Sequence, residues 1–218
     1  MPRPPNASRR DSRAAVLAAA RVEFAARGFS GAGVDRIALK ARVNKAMIYY
    51  HFESKIGLYR EVLRDGFRRL TEEARTAIAG APSGIEKFDA YIASLLQTAS
   101  AEPHIVPILL REMAGGGRNI DAETLRLMTG LFVVVKEILD QGRAAGEFHA
   151  VDPLLTHFII IGSTMLYVAN EPIRTQVRRT GVLGRNTRVP KGNASMARHL
   201  GTVLRRTLCV DQEVPDHA

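Results

Sequence analysis

The fold is decided by one stretch of the chain, Val34-Asp-Arg-Ile-Ala-Leu-Lys-Ala-Arg-Val-Asn-Lys-Ala-Met-Ile-Tyr-Tyr-His-Phe52. Its first half has apolar residues at the spacing of one helical face, namely Val34, Ile37, Ala38 and Ala41. We expect residues 42–44 to form a turn and Asn44 to cap a second helix, because its side-chain oxygen can accept a hydrogen bond from a free N–H of the first turn. Two short helices joined by a tight turn are typical of a helix-turn-helix that binds the DNA major groove.

The second helix has an unusual outer face. At 100° per residue, Ile48 and Phe52 share the side that we expect to be buried. The remaining surface is small, apolar, aromatic and basic, and it comprises Lys45, Ala46, Met47, Tyr49, Tyr50 and His51. Such a face fits base contacts from its apolar members and phosphate contacts from its polar ones. The alternative is a surface helix of a small bundle, with its tyrosines packed on a neighbouring element.

The flanking sequence favours DNA binding. Gly28-Phe29 precedes the segment, and Glu53-Ser-Lys-Ile-Gly-Leu58 follows it. With these flanks, the chain from about Arg9 to Phe67 resembles the N-terminal domain of the TetR family of bacterial transcriptional regulators. The resemblance implies a three-helix DNA-binding head, a linking fourth helix, and a helical C-terminal domain that dimerises and usually holds a small effector.

Ten residues are candidates for DNA contact. They are Gly33, Arg36, Asn44, Lys45, Ala46, Met47, Tyr49, Tyr50, His51 and Lys55. Lys55 lies in the first turn of the fourth helix, where an ammonium and a helix N-terminus can meet one phosphate. Two positions depart from the family pattern. Gly33 stands where the family usually has a Ser or Thr cap, and Arg42 stands where the family turn usually has Gly. At positive φ, Arg42 would carry about 1 kcal/mol of strain.

The charge distribution supports a phosphate-binding surface in the same region. The whole chain of 218 residues has a net charge of +9. Residues 1–52 contain ten Lys/Arg and three Asp/Glu, a balance of +7, whereas the rest contains 21 and 19, a balance of +2. An acidic partner protein or a membrane surface would also fit a basic head, but neither explains the helix-turn-helix spacing.

The termini and the single cysteine indicate the compartment. Residues 1–8 lack the apolar core of a signal peptide and are expected to form a flexible basic arm, and residues 210–218 a tail. Cys209 is the only cysteine, so an intrachain disulfide is impossible, which fits a reducing cytoplasm.

The rest of the chain is predicted to be helical as well. We expect helix one over Ser12–Arg27 and the fourth helix over Ser54–Ala77, so that residues 9–69 form the DNA-binding domain, with the helix-turn-helix over 33–52. Residues 70–209 are expected to form an effector-binding and dimerisation domain. Its helices are predicted near 84–100, 103–114, 121–145, 153–170 and 193–209, with a solvated basic loop over 174–191. The predicted class is all-α: a three-helix head plus a larger helical C-terminal domain.

The segment Pro153–Asn170 has no Asp, Glu, Lys or Arg over 18 residues. That length approaches a membrane span. We reject this interpretation because the segment contains polar residues and is flanked by Asp152 and Glu171 in place of basic anchors. A helix buried at a dimer interface fits better. We therefore predict a homodimer through the last two helices, with these interface residues: Phe158, Ile161, Met165, Leu200 and Leu204.

The C-terminal half also offers candidates for an effector pocket. The candidates are Tyr91, Met113, Met128, Phe132, His157, Thr164 and Met165. A mixture of soft apolar groups with a few polar ones is the usual lining of a small-molecule pocket. The same residues would equally describe a plain core. With few charges among them, the ligand is expected to be mainly apolar.

Enzymatic chemistry is not indicated. The six histidines are not spaced as metal ligands, and no carboxylate or cysteine cluster completes a metal site. Gly115-Gly-Gly117 lacks the Lys-Ser/Thr of a nucleotide loop and is expected to end a helix. We assign no catalytic residue, no metal and no cofactor.

The sequence therefore predicts a homodimeric transcriptional repressor that binds a palindromic operator in double-stranded DNA and is released by a small ligand. One alternative is a DNA-binding regulator without a small-molecule effector. The other is a helical scaffold or enzyme whose helix-turn-helix serves protein contacts only.

Overall fold

The protein is described by a computed structural model, which covers residues 5–182 and 192–210, with backbone alone for residues 5–10. The helices of this part of the chain are α1 (Pro5–Gly31), α2 (Val34–Ala41), α3 (Lys45–Phe52), α4 (Lys55–Ile78), α5 (Gly84–Ala101), α6 (Ile105–Ala114), α7 (Ala122–Met128), α8 (Gly130–Ala144), α9 (Pro153–Ala169), α10 (Glu171–Thr180) and α11 (Asn193–Leu208). The described residues contain no strand beyond an isolated antiparallel bridge between Phe148 and Cys209. The predicted all-α class is confirmed.

The chain folds into two compact units. Unit 1 comprises the described residues up to Arg69 together with Glu102–Met128, and unit 2 comprises Leu70–Ala101 and the described residues from Thr129 onward. The predicted division into residues 9–69 and 70–209 therefore differs from the observed one, because α6 and α7 belong to unit 1.

The core of unit 1 is formed by α1, α2, α3 and the first half of α4. The inner side of α1 buries Val16, Ala20 and Phe24 completely. The ring of Phe24 meets the edge of the Tyr59 ring, with centroids 4.9 Å apart. Apolar burial of this kind contributes about 25 cal/mol per Å2 and holds α1, α2, α3 and the first half of α4 together.

Two side chains of α6 join it to the rest of unit 1. The Arg111 guanidinium donates to the backbone carbonyls of Ala25 and Ala26 in the last turns of α1. The Tyr59 hydroxyl donates to the buried Glu112 carboxylate at 2.9 Å. These contacts explain why the sequence after α5 returns to unit 1.

Unit 2 is built around α5, which buries Phe88, Tyr91 and Leu95 against α8, α9 and α11. An ion pair between Asp89 and Arg205 links α5 to α11. The Phe148 ring lies so close to Gly142 that a Cβ there would overlap it. The segment after α8 is therefore packed on the core of unit 2.

Several predicted boundaries are wrong. Helix α1 begins at Pro5, so residues 5–8 of the predicted arm are helical; proline is accepted in a first helical turn because its missing N–H has no partner there. The predicted helix over 121–145 is interrupted at Thr129 into α7 and α8. The predicted loop over 174–191 is helical as far as Thr180, the end of α10. Within this helix, Glu171 accepts hydrogen bonds from Thr175 and Arg178. Residues 183–191, the rest of that loop, and 211–218 of the predicted tail lie outside the described residues.

Among the described helices, none is by itself long and apolar enough to cross a bilayer. The pair α9 and α10, which is bent by 58° at its junction, has the length and composition of a broken span.

Candidate nucleic-acid interface

The helix-turn-helix consists of α2, a three-residue turn and α3. Arg42 ends α2 in the left-handed conformation, with φ 55° and ψ 40°. Its neighbour Val43 donates its backbone N–H to the Ala38 carbonyl at 3.1 Å, which closes the end of α2. The turn therefore places an arginine in the conformation that glycine adopts without strain.

The two faces of α3 are as the sequence predicts. Ile48 and Phe52 are buried against the core of unit 1. Asn44 caps the helix, since its Oδ1 accepts from the Ala46 N–H at 2.9 Å. Burial of one side and capping of the first turn fix which residues of α3 face outward.

The outward face of α3 is exposed and lacks carboxylates. Tyr50 is 57% exposed and Tyr49 is 42% exposed, and Ala46 is exposed beside them. Met47 and His51 are half-buried at the edges. These five side chains form one surface of apolar, aromatic and imidazole groups.

His51 is additionally held by α1. Its Nε2 lies 2.9 Å from the Ser12 hydroxyl, and its ring meets the Tyr50 ring edge-on, with centroids 5.2 Å apart. The imidazole is thus positioned from two sides at the end of α3.

A buried carboxylate organises the start of α2. The Glu23 side chain is 1% exposed and accepts from Arg36 Nε at 2.5 Å, from Lys40 Nζ at 3.1 Å and from the Gly33 N–H at 3.4 Å. Burial alone would raise the pKa of Glu23, but these hydrogen bonds outweigh it and lower the pKa to about 2. Arg36 also donates to the Gly31 carbonyl at 2.6 Å. Two predicted DNA contacts, Gly33 and Arg36, are therefore tied to α1.

Two predicted phosphate ligands also have protein partners. The Lys45 ammonium lies 2.8 Å from an oxygen of Asp35, and this hydrogen bond raises the pKa of Lys45. The Lys55 ammonium lies over the Phe29 ring, 4.8 Å from its centroid, and 3.4 Å from the Ser30 carbonyl. Both cations remain at the surface, where phosphates can reach them.

A tight connection joins α3 to α4. Glu53 has φ 63° and ψ −42°, and the Ser54 N–H donates across it to the Phe52 carbonyl at 2.6 Å. This is a γ-turn of the rare, strained positive-φ type. Ser54 then caps α4 by accepting from the Gly57 N–H at 3.0 Å, and a Cβ at Gly57 would overlap the Phe52 carbonyl oxygen. The end of α3 is thereby fixed against α4.

The predicted pocket residues are only partly assembled. Tyr91 donates to the Leu131 carbonyl at 3.3 Å, next to Phe132, whose ring meets that of His157 with centroids 5.9 Å apart. Thr164 and Met165 are buried further along α9.

The assignment of Met113 to a pocket is wrong. It is 62% exposed on α6, because the apolar side of that helix is formed by other residues. Met128, like Met113, belongs to unit 1, whereas the other five candidates belong to unit 2. A surface cleft of 270 Å3 in unit 2 has none of the predicted residues in its lining, which consists of Arg75, Ile78, Ala79, Lys87, Glu137, Ile138 and Gln141.

The predicted dimer residues need correction. Met165, Leu200 and Leu204 are between 6% and 8% exposed within one chain, since α11 packs on α5 and Met165 faces the core of unit 2. Phe158, in contrast, is 60% exposed, and Ile161 is half-buried. The exposed side of α9 consists of Leu154, Leu155, Phe158, Ile159 and Leu166.

Sequence reasoning missed Glu23 and Asp35. Glu23 lies seven residues after Val16 and three after Ala20, on the apolar side of α1, and an acid at such a position signals a buried ion pair. Asp35 is the single acid between Gly33 and Phe52. Within the described residues, no group of three or more His, Cys, Asp or Glu side chains could hold a metal ion.

A capped recognition helix with an exposed apolar and aromatic face, set in a small helical unit, defines a helix-turn-helix DNA-binding protein. The profile described as bacterial regulatory proteins, tetR family, matches residues 16–62, and the profile of the tetracyclin repressor-like C-terminal domain matches residues 85–204. The chain belongs to the TetR family and is a DNA-binding transcriptional regulator.

Individual relatives agree with this assignment. The chain is 29% identical over 160 residues to the HTH-type transcriptional repressor NicS of Pseudomonas putida, covering 71% of this chain and 74% of NicS. Among solved structures, the fatty acid degradation regulator FadR from Bacillus halodurans is similar, with a TM-score of 0.74, 17% identity, and coverage of 94% of this chain and 97% of FadR. FadR from Bacillus subtilis in complex with stearoyl-CoA has a TM-score of 0.69, 17% identity, and coverage of 88% and 97%.

Proposed function

We propose that this regulator is a homodimeric repressor that reads a palindromic operator with the outward face of α3 and is released by a small, mainly apolar ligand. The observation that carries the DNA-binding part is the exposed, carboxylate-free surface of Ala46, Met47, Tyr49, Tyr50 and His51. An α-helix fits the major groove, and side chains of these types can contact base edges and phosphates.

The roles within this face are proposed to differ. Lys45, Tyr49, His51 and Lys55 contact phosphates, whereas Ala46, Met47 and Tyr50 contact bases. Gly33, Arg36 and Asn44 support DNA binding by positioning α2 and α3, since the first two bind the buried Glu23 and Asn44 caps α3.

The test is to select an operator duplex from a random pool with the purified protein and to measure the affinity of variants by fluorescence anisotropy. Tyr49→Ala is expected to weaken binding to every duplex and to reduce the dependence of affinity on salt. Met47→Ala is expected to alter the preferred sequence. The proposal is abandoned when neither substitution changes affinity or preference, and Leu125→Ala, at an exposed apolar residue outside the helix-turn-helix, serves as the control.

Dimerisation is proposed to use the exposed side of α9. Leu155, Phe158, Ile159 and Leu166 repeat at helical spacing, and each is more than half exposed in the single chain. A contiguous apolar stripe of this size is typical of a subunit interface. The dimer is proposed to bind a palindromic site whose half-sites are roughly 34–36 Å apart, or somewhat more.

The ligand is proposed to bind in unit 2. The His157 Nδ1 and the Thr164 Oγ1 are buried without a hydrogen-bond partner among the described atoms, seven residues apart on one side of α9. Burial lowers the pKa of His157, so the imidazole is neutral at neutral pH. A neutral imidazole and a hydroxyl in an apolar core suit a ligand with one uncharged polar group on a long apolar body.

The fold similarity to FadR in complex with stearoyl-CoA makes that molecule the first probe, with its apolar stearoyl chain expected in unit 2 and its charged coenzyme A group outside the apolar core. It is expected to raise the melting temperature of the protein in proportion to the logarithm of its concentration. Operator duplex should weaken the binding of stearoyl-CoA by the same factor by which stearoyl-CoA weakens the binding of operator. Equal ligand affinities with and without operator would favour the alternative, a DNA-binding regulator without a small-molecule effector.

A further inference from the structure

An exposed carboxylate stands beside the cationic start of the recognition helix. Asp35, in the first turn of α2, is 79% exposed at its side chain, and its two oxygens lie 2.8 and 3.1 Å from the Lys45 ammonium. Lys45 is the first residue of α3 and is itself 46% exposed. The pair is thus exposed at the surface and joins the two helices of the helix-turn-helix.

We propose that Asp35 is a specificity-determining residue of DNA binding, which acts by holding the Lys45 ammonium back from the phosphates of non-cognate DNA. The inference rests on the proposed DNA-binding face. Asp35 itself is a positioning residue, because the contact with DNA is made by Lys45.

The energetics of the pair allow it to open. An ion pair exposed to this degree is weak, so Lys45 can exchange its carboxylate partner for a phosphate when other contacts bring α3 fully into the groove. Cognate DNA supplies those contacts through Ala46, Met47 and Tyr50. Random DNA does not supply these contacts, so the Asp35–Lys45 pair stays closed there. Because the closed pair has no net charge, it releases no counterion from the DNA.

The Asp35 carboxylate, which lies on α2 beside the outward face of α3, also repels phosphates directly. Like charges brought together at an interface disfavour wrong partners, and such repulsion contributes to specificity as much as attraction does. Asp35 therefore lowers affinity for all DNA, but its effect is largest where no base contact offsets it.

A purely structural role for Asp35 makes a different prediction. An acid in the first turn of a helix stabilises that helix through the helix dipole. Loss of that effect would reduce stability and would leave the ratio of operator affinity to random-DNA affinity unchanged. The ratio and its dependence on salt therefore separate the two roles.

The experiment compares Asp35→Asn, Lys45→Ala and the double variant with the wild type, on the selected operator duplex and on a random-sequence duplex, between about 50 and 200 mM salt. Asp140→Asn is the matched control, because Asp140 also forms a surface ion pair, with Lys136 in unit 2 at 2.5 Å. It makes the same change in net charge at a site outside the helix-turn-helix.

We expect Asp35→Asn to tighten binding to random duplex by about fivefold or less, since the exposed ion pair that it removes is weak. The slope of log affinity against log salt should steepen by about 0.9 per subunit as Lys45 becomes free to neutralise a phosphate. Operator binding should tighten less, so the specificity ratio falls. In the Lys45→Ala background, the steepening of the salt slope on Asp35→Asn should disappear.

The inference is overturned when Asp35→Asn and Asp140→Asn behave alike, when operator and random duplex gain equally, or when the slope change persists without Lys45. These results leave the DNA-binding face intact if Lys45→Ala still weakens binding. If Lys45→Ala binds both duplexes as tightly as the wild type does, Lys45 is not part of the DNA-binding face. That result would overturn both the proposed phosphate contact of Lys45 and the inference about Asp35.

Discussion

The Glu23 carboxylate lies 2.5 Å from the Nε of Arg36, and the two side chains differ sharply in exposure, at 1% and 47%. The acid is thus buried while its partner remains in contact with water. The pair ties α1 to α2, and with Lys40 and the Gly33 N–H it fixes the first helix of the helix-turn-helix.

Glu23→Gln is expected to lower the free energy of unfolding by about 2–3 kcal/mol, since hydrogen bonds to a charged group contribute about 1.5–3 kcal/mol. The amide keeps the shape of the side chain but loses the charge. Urea unfolding followed by circular dichroism measures the change. Glu73→Gln, at an exposed acid of α4, should change stability by less than about 0.5 kcal/mol. Equal effects of the two substitutions would show that the buried ion pairs do not stabilise unit 1.

Stability at acid pH should depend on the same carboxylate. Its pKa falls from 4.5 to about 2 on folding, so the folded state binds this proton less readily than the unfolded state does. The stabilisation is therefore complete above pH 4.5 and is lost as the pH falls through 2. Unfolding free energies measured across this window should fall less steeply for Glu23→Gln than for the wild type. Parallel curves would contradict the depressed pKa.

Arg42→Gly is expected to stabilise the protein by up to about 1 kcal/mol, because glycine adopts the left-handed conformation of this position without strain. Ala41→Gly is the matched comparison one residue earlier. It is the last residue of α2, where glycine should cost up to about 0.5–1 kcal/mol. The melting temperatures of the two variants should therefore move in opposite directions, and a loss of stability in both would show that Arg42 is not strained.

Gly57→Ala is expected to lower the unfolding free energy by about 1–3 kcal/mol and to weaken DNA binding, because the added methyl group displaces the Phe52 carbonyl at the end of α3. Gly80→Ala serves as the control, since a Cβ there meets nothing within 4 Å. Thermal unfolding and operator affinity are measured on both variants. A Gly57→Ala protein with normal affinity would mean that the γ-turn does not position α3.

Phe158→Arg is expected to convert the dimer to monomer and to abolish tight operator binding, because a charge in an apolar interface lacks a partner. Sedimentation velocity at micromolar concentration measures the first effect and anisotropy the second. Leu125→Arg places the same charge on an exposed apolar residue of α7 and should leave the dimer intact. A dimeric Phe158→Arg protein would exclude this side of α9 as the interface. Met165, at 8% exposure, is unsuitable for this test because a charge there would disrupt the core of unit 2.

What the sequence predicts correctly here depends on local geometry. The burial of Ile48 and Phe52 follows from helical periodicity, and the cap at Asn44 follows from the chemistry of one side chain and the next turn. Neither needs knowledge of which elements lie nearby.

The failures have a common physical origin in tertiary packing. An apolar stripe such as Leu200 and Leu204 shows that α11 buries one side, but not whether the neighbour is α5 of the same chain or a second subunit. In the same way, Glu23 and Asp35 acquire their roles from partners on other helices, which no local spacing specifies.

The discontinuity of unit 1 has a consequence for how DNA specificity can be inherited. The segment that carries the helix-turn-helix ends at Arg69, yet Arg111 and Glu112, which come after an entire helix of unit 2, hold α1 and Tyr59 in place. A gene exchange that transferred residues up to Arg69 alone would separate these partners. A recombinant regulator would retain its operator preference only if the exchanged segment also included the coding sequence for α6 and α7.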